Sequence, residues 1–259
     1  MEAPRGDAGL SALGPIHPVA ATGFARSADA YERGRPDYPN AAVDRLVAAL
    51  PGTQVVDLAA GTGKLTRALV ARGCDVVAVE PVAEMRAAIA PPARAIDGRA
   101  EAIGLPDASA DAVTVAQAFH WFDGPRALAE IHRVLRPGGV LALIWNRRPL
   151  EDEIHARIES LLAPHRGTVP AHRDERWRSE LAGDPHFGAL REETFANEQV
   201  LDADGLADRV GSISFVAALG DDERAAVLEA VRALAGTGVV TLRYVVELRL
   251  ATRRSLARG

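Results

Sequence analysis

Short apolar runs alternate with amphipathic stretches along the middle of the chain. The runs QVVDLA, DVVAVE, DAVTVAQAF and GGVLALIWN have the length and apolar content of buried strands, and ARAIDG is a weaker example. Helical patterns separate them, namely KLTRALVAR, AEMRAAIA and PRALAEIHRVL. Strands that alternate with helices are typical of crossover units, so this pattern predicts a doubly wound, mostly parallel sheet.

The pattern changes after Asn146. A charged helical stretch, EDEIHARIESLLAPHR, is followed by a strand pattern in ETFANEQVL and a helical pattern in DDERAAVLEAVRALAG. The last run, VVTLRYVVELRLATR, alternates between apolar and polar residues, which suits an edge or antiparallel position. The whole pattern predicts an α/β fold whose seven-stranded, mostly parallel sheet has an antiparallel edge strand and a small helical cap.

The same pattern divides the chain into parts. Residues 1–23 are rich in Gly, Pro and Ala without periodicity and are predicted to form a mobile tail. Residues 24–259 are predicted to form a single domain. Its parts are an N-terminal lid and helix (24–50), a core (51–148), a helical cap (149–194), and returning strands with a helix (195–259).

Composition narrows the class of partner. The chain has 259 residues, a net charge of −5 and one cysteine, Cys74. The chain shows no basic stripe, signal-peptide pattern or membrane-length apolar run, so we expect a cytoplasmic protein without a nucleic acid or membrane partner. The expected partner is a small molecule, and the expected state is a monomer or homodimer. No metal site is predicted, because the histidine spacings match no ligand pattern at His155, His165, His172 and His186.

A glycine turn, VVDLAAGTGK, lies between the first predicted strand and its helix. Such a turn lets the backbone approach a ligand closely at a helix N-terminus. The phosphate-binding P-loop pattern fails, because position 58 is Leu and Lys64 is followed by Leu65. The dinucleotide pattern G-x-G-x-x-G fails as well, because Thr66 stands where its third glycine belongs.

The remaining pattern is an acidic residue followed by small residues at every second position, Asp57-x-Ala59-x-Gly61-x-Gly63. It resembles the first motif of the class I S-adenosylmethionine-dependent methyltransferases, which have a Rossmann-like fold. Further resemblances follow in the order of the family, at VVAVEP, RAEAIGLPDASADAV and LRPGGVLALIW. The segment AYERGRPDYP resembles the N-terminal lid of a bacterial subgroup that methylates small molecules, near the trans-aconitate methyltransferases.

The resemblance implies that S-adenosylmethionine is the cofactor. It implies that Glu80 accepts hydrogen bonds from the ribose hydroxyls. It also implies that Tyr31 and Arg35 close over the cofactor, with an arginine near the cofactor's carboxylate. The chain departs from the family at Ala59, which replaces a glycine, and at Arg99, where many relatives carry an acidic residue. The implied cofactor-binding residues are Tyr31, Arg35, Asp57, Ala59, Gly61, Gly63, Glu80, Pro81, Met85, Ala100, Glu101, Gln117 and Ala118.

Several of these residues also have a structural interpretation. Asp57 can instead cap the turn that follows it, through its side chain. Glu80 can simply be solvated at a strand end, and Tyr31, Arg33 and Arg35 can form the solvated face of a helix.

The stretch AQAFHWFD at the end of the fourth strand supplies the candidate catalytic residue. His120 lies beside the expected ligand crevice and is the candidate general base, although methyl transfer often needs only alignment. Trp121 is either a substrate contact or a packing residue, and Asp123 before Gly124-Pro125 is predicted to cap a helix.

The end of the fifth strand supplies the other candidate substrate residues. Trp145 and Asn146 are predicted to face the substrate, and the following Arg147 and Arg148 either pair with a substrate carboxylate or lie in solvent.

The predicted function is methyl transfer from S-adenosylmethionine to an oxygen, nitrogen or carboxylate of a small molecule, including specialised metabolites. Two alternatives remain open at this point. One is an enzyme of the same fold that uses the bound cofactor for another reaction, such as a cyclisation, and the other is a non-catalytic binding protein.

Overall fold

The computed structural model describes residues 32–167 and 176–254 and contains a seven-stranded sheet. The strands are β1 (Gln54–Leu58), β2 (Asp75–Val79), β3 (Arg94–Ile96), β4 (Ala110–Ala116), β5 (Leu135–Arg147), β6 (Arg191–Leu201) and β7 (Val240–Thr252). Their order across the sheet is β3-β2-β1-β4-β5-β7-β6. The strands β1 to β5 are parallel, whereas β7 is antiparallel to both β5 and β6. The predicted α/β fold is confirmed, and its antiparallel strand lies between β5 and the edge strand β6.

The helices lie on both faces of this sheet. They are α1 (Asn40–Ala48), α2 (Lys64–Val70), α3 (Ala83–Ala87), α4 (Gly124–Val134), α5 (Glu153–Leu162), α6 (Arg176–Gly183), α7 (Ala203–Gly211), α8 (Ser214–Ala217) and α9 (Asp221–Ala235). Short 3-10 helices occur at Phe119–Trp121 and Ala163–His165. None of the helices in the described residues is long and apolar enough to cross a membrane.

Alternation along β5 divides the core into two halves. Ile144 packs with Leu46 of α1 and Leu65 of α2 on one face of the sheet. The next residue, Trp145, points to the opposite face, where it packs with Trp177 of α6. Because successive side chains of a strand point to opposite faces, both faces of β5 are buried, as a doubly wound sheet requires.

A third cluster forms the helical cap. It joins α5, α7, α8 and α9 to the start of β7, through apolar residues such as Ile158, Val210, Val231 and Leu242. The predicted cap range, 149–194, therefore contributes only one of these helices, α5. Its other helix, α6, packs beneath α4 in the core, and β6 already begins at Arg191, inside the predicted range. The predicted tail, 1–23, lies outside the described residues.

Candidate cofactor and acceptor site

The glycine turn follows the carboxyl end of β1 and leads into α2. Three of its residues have left-handed backbone conformations, with φ of 55° at Ala59, 59° at Gly61 and 83° at Gly63. Glycine adopts this conformation freely, whereas an alanine there costs about 1 kcal/mol. Gly63 precedes α2 as its N-cap, so the turn presents the positive end of the α2 dipole at the carboxyl edge of the sheet.

Glu80 lies at the end of β2, directly beside this turn. Its Oε2 accepts a hydrogen bond from the Gly61 N–H at 2.8 Å, and its Oε1 accepts one from the Val82 N–H at 2.9 Å. Only 5% of the residue is exposed, and this burial raises the pKa of the carboxyl above its ordinary value, although the two N–H groups oppose the rise. A carboxylate accepts about four hydrogen bonds, so Glu80 retains capacity for two hydroxyl donors. The residue is therefore fixed in orientation and suits a ribose diol.

Asp57 is placed beneath the turn rather than at its surface. It is fully buried, and its oxygens accept hydrogen bonds from the hydroxyls of Thr66 at 2.6 Å and Thr114 at 2.8 Å. Burial raises its pKa to about 6, and the bonds from Thr66 and Thr114 counteract part of that rise. Asp57 thus joins β1 to the first turn of α2 and to β4, so its side chain has a structural task beneath the glycine turn.

The other predicted cofactor residues are distributed around the same edge of the sheet. Pro81 and Ala118 are half-buried, whereas Met85 and Ala100 are buried in the apolar interior. The Glu101 carboxylate accepts a hydrogen bond from the Asp123 N–H at 3.0 Å. Tyr31 lies outside the described residues.

A pocket opens between the carboxyl ends of β1 and β4, where the strand order of the sheet reverses. Ligands of open α/β sheets bind at such a switch point. Gln117, which follows β4, has φ of 61° and donates its N–H to the Ile144 carbonyl at 3.0 Å. The pocket is lined by Arg35, Pro36, Tyr38, Ala59, Ala60, Lys64, Leu65, Ala116, Gln117, Asn146 and Arg209.

The described part of the predicted lid lies across this pocket. Glu32 accepts a hydrogen bond from the Thr62 hydroxyl of the glycine turn at 2.6 Å, and Arg33 forms an ion pair with Asp208 of α7 at 2.7 Å. A side chain on Gly34 would lie 2.5 Å from the Asp208 backbone, so only glycine permits this approach to α7. The segment therefore joins the glycine turn to the cap.

The stretch after β4 forms the 3-10 helix that carries His120 and Trp121. Both are half-buried, and their ring centroids are 5.2 Å apart. Neither is among the residues that line the pocket, so their predicted roles rest on their position beyond the end of β4. Asp123 accepts a hydrogen bond from the Arg126 N–H at the start of α4, which confirms the predicted cap.

The two predicted substrate residues of β5 are placed differently. Asn146 lines the pocket, and its side-chain oxygen accepts a hydrogen bond from the Asn197 amide at 2.8 Å. Trp145 is 1% exposed, its ring lies 4.7 Å from that of Trp177, and Arg249 lies over it. The prediction that Trp145 faces the substrate is not supported, because the alternation that brings Asn146 to the pocket points Trp145 into the core.

Sequence reasoning missed Arg209, which lines the pocket from α7. The sequence pattern did not predict helix α7, because the apolar face of this helix is short. A signal was present, since Asp202 caps α7 by accepting a hydrogen bond from the Gly205 N–H at 2.8 Å. The apolar residues Leu206 and Val210 follow at helical spacing.

The described residues offer no metal-binding group. They contain no group of three or more His, Cys, Asp or Glu side chains that could hold a metal ion. A mostly parallel sheet with a glycine turn after its first strand and an acid at the end of its second defines an α/β protein suited to an adenosine-containing ligand.

Comparison with known proteins identifies the family. A family model described as a methyltransferase domain matches residues 56–143. An uncharacterised methyltransferase of Mycobacterium tuberculosis is 57% identical over 129 residues, which cover 48% of this chain and 52% of that protein. An uncharacterised methyltransferase-like protein of Schizosaccharomyces pombe is 33% identical over 201 residues, covering 75% of this chain and 78% of that protein.

The solved structures agree. A candidate type II methyltransferase from Anaeromyxobacter dehalogenans superimposes with a TM-score of 0.62 and 29% identity, covering 85% of this chain and 97% of that one. This chain belongs to the class I S-adenosylmethionine-dependent methyltransferases. The matched part spans about half the length of the mycobacterial relatives, at 52%. The trans-aconitate-like subgroup stays a prediction.

Proposed function

We propose that this chain transfers a methyl group from S-adenosylmethionine to an oxygen, nitrogen or carboxylate of a small molecule. The observation that carries the proposal is the Glu80 carboxylate, fixed by the Gly61 and Val82 N–H groups beside the glycine turn. Family membership supports the choice of cofactor, because the family implies its use.

The residues around the pocket have distinct tasks in this proposal. Glu80 accepts hydrogen bonds from the ribose hydroxyls, and Gly61 and Gly63 let the backbone approach the cofactor. When bound, S-adenosylmethionine would supply a methyl group carried on a cationic sulfonium. Asn146 lines the space in which the acceptor is oriented, and Gln117 borders the homocysteine end of the cofactor. Residues 32–38 cover that space and exclude water, which would otherwise compete with the protein for the charged groups of the ligands.

The experiment that tests the proposal incubates the protein with methyl-labelled S-adenosylmethionine and a metabolite extract of its host. We expect label in a small-molecule product and one molecule of S-adenosylhomocysteine per methyl transferred. Cofactor binding without labelled product would instead support a non-methylating reaction, and neither binding nor transfer would support a non-catalytic scaffold.

The proposed general base can be tested at His120. If its imidazole takes the proton of a hydroxyl or amine acceptor, His120→Ala is expected to lower kcat about a hundredfold, the low end for general-base catalysis. The dissociation constant of the cofactor, measured by titration calorimetry, should change less than about twofold. The control is His132→Ala on α4, whose ring packs against that of His186 and does not line the pocket. Full activity of His120→Ala would show that alignment alone is sufficient.

A further inference from the structure

Residues 32–38 lie across the pocket, and we call them the lid segment. Arg35, Pro36 and Tyr38 of this segment line the pocket, and Gly34 and Pro36 are buried. From Arg35 onward its backbone belongs to neither a helix nor a strand. Buried backbone carbonyls need hydrogen-bond partners, so the partners of this segment determine where it lies.

Two side-chain amides of the edge strand β6 provide such partners. The Asn197 amide donates a hydrogen bond to the Asp37 carbonyl at 2.8 Å, and the Gln199 amide donates one to the Gly34 carbonyl at 2.9 Å. Asn197 and Gln199 are two residues apart, so they lie on the same face of β6 and contact the lid segment at two points. We call these two residues the amide pair.

A chain of hydrogen bonds that begins at the pocket fixes the orientation of Gln199. Arg209 lines the pocket, and its Nε donates to the Tyr244 hydroxyl at 3.1 Å. An arginine can only donate, so this hydroxyl accepts that bond and donates its own proton to Oε1 of Gln199, at 3.1 Å. The amide nitrogen of Gln199 is thereby turned toward the Gly34 carbonyl.

Asn197 joins the lid segment to the pocket as well. Its amide nitrogen also donates to Oδ1 of Asn146, the pocket residue of β5, at 2.8 Å. Its own Oδ1 accepts a hydrogen bond from the Glu198 N–H at 3.1 Å. The two protons of the Asn197 amide therefore match its two acceptors, on the lid segment and on β5.

The ion pairs of the lid segment are weaker restraints than the amide pair. Arg33 pairs with Asp208 at 2.7 Å, and Asp37 pairs with Lys64 at 3.0 Å, but the Arg33 and Asp37 side chains are 63% and 80% exposed. Exposed ion pairs contribute little, because water and salt screen them. The amide pair is half-buried and neutral, so salt does not weaken its hydrogen bonds.

Resting on the proposed function, we infer that Asn197 and Gln199 hold the lid segment over the cofactor and thereby set the rate at which S-adenosylhomocysteine leaves. The two amide–carbonyl hydrogen bonds have to break before the segment opens. Opening of such a segment limits turnover in many enzymes that release a product from under it. Arg209 and Tyr244 are positioning residues here, since they act through Gln199.

The first test is limited proteolysis of the lid segment. Trypsin cleaves after arginine, but Gly34 is buried and Arg35 is followed by proline, so cleavage of the Arg33–Gly34 bond reports release of the segment. Asn197→Asp and Gln199→Glu each replace the donating amide by a carboxylate of the same shape. We expect each to speed this cleavage, followed by mass spectrometry, about tenfold. In the wild-type protein, cleavage relative to a free peptide of the same sequence should not rise with sodium chloride.

The second test is the dissociation of S-adenosylhomocysteine, measured by surface plasmon resonance. Asn197→Asp and Gln199→Glu should each raise the dissociation rate constant about tenfold. Gln199→Leu removes the amide without adding a charge and should match Gln199→Glu. Tyr244→Phe removes the hydroxyl that orients Gln199 and should raise the rate constant about threefold. The control is Glu198→Gln, on the other face of β6, where Glu198 pairs with Arg243, and it should leave both readouts unchanged.

The two readouts separate the possible failures. Wild-type rates of cleavage and dissociation in the folded variants would overturn the inference. Cleavage of the wild-type protein that rises with salt would overturn it too, because it would assign the lid segment to its ion pairs. Faster cleavage at every site, with a lower melting temperature by circular dichroism, would assign the amide pair to general stability and count against it equally. If the wild-type protein does not bind S-adenosylhomocysteine, the proposed function fails, whereas cleavage at the Arg33–Gly34 bond still tests the amide pair.

Discussion

Glu80→Ala is expected to weaken binding of S-adenosylmethionine more than about tenfold. The carboxylate is placed to accept hydrogen bonds from two hydroxyls, and each charge-assisted hydrogen bond contributes about 1.5–3 kcal/mol. The same substitution frees the Gly61 and Val82 N–H groups, so the glycine turn loses the contact that fixes it to β2. Titration calorimetry with S-adenosylmethionine and S-adenosylhomocysteine measures both affinities.

A matched control is available on the adjacent helix α3. Glu84 is exposed there, so Glu84→Ala removes a carboxylate close in sequence without touching the turn. Its affinity for the cofactor should equal that of the wild-type protein. Circular dichroism melts of both variants show whether the fold is retained. An unchanged dissociation constant in folded Glu80→Ala would disprove the assignment of the ribose site.

Asp57→Asn is expected to change how stability depends on pH. Burial raises the pKa of Asp57 from 3.8 to about 6, so the folded protein holds a proton that the unfolded chain has released between these values. The stabilisation from this proton is present in full below pH 4 and is lost as pH rises to about 6. Because each pH unit corresponds to 1.36 kcal/mol, the loss amounts to about 3 kcal/mol.

The measurement is the free energy of unfolding in urea at pH 4 and pH 7. Asn cannot titrate, so the stability of the wild-type protein relative to Asp57→Asn should be about 3 kcal/mol greater at pH 4 than at pH 7. Comparison with the variant removes the contribution of titrating groups that do not interact with Asp57. Glu80 is the exception, because the charge of Asp57 helps to raise its pKa, and its contribution has the same sign as that of Asp57. Asp75→Asn, at an exposed position that begins β2, shows the effect of replacing a carboxylate at the surface. A difference that stays constant, or grows with pH, would contradict the account.

The sheet could be predicted because its signal is local. Each buried strand is an apolar run in the sequence, and the apolar residues of each crossover helix recur at helical spacing. The alternation from β1 to β5 therefore indicates both the type of each element and the parallel direction of the strands. The position of β7 in the sheet could not be predicted in the same way. Its alternating residues are compatible with an edge or an antiparallel strand, and only pairing with β5 on one side and β6 on the other decides between them.

The candidate site could be predicted only in part, and the reason is again physical. Glu80 and the glycine turn were recognisable because their spacing is set by backbone conformation within one crossover unit. Trp145 was misplaced because one residue along a strand changes the face to which a side chain points. Arg209 was missed because it reaches the pocket from α7, and no local pattern indicates which long-range contact a helix makes.

A crystal structure of the protein with S-adenosylhomocysteine tests the central claim most directly. We predict that both ribose hydroxyls lie within hydrogen-bond distance of the Glu80 carboxylate, with the ligand crossing the glycine turn at Gly61 and its homocysteine end in the pocket beside Gln117. A ligand bound elsewhere on the sheet, or with its ribose away from Glu80, would contradict the account.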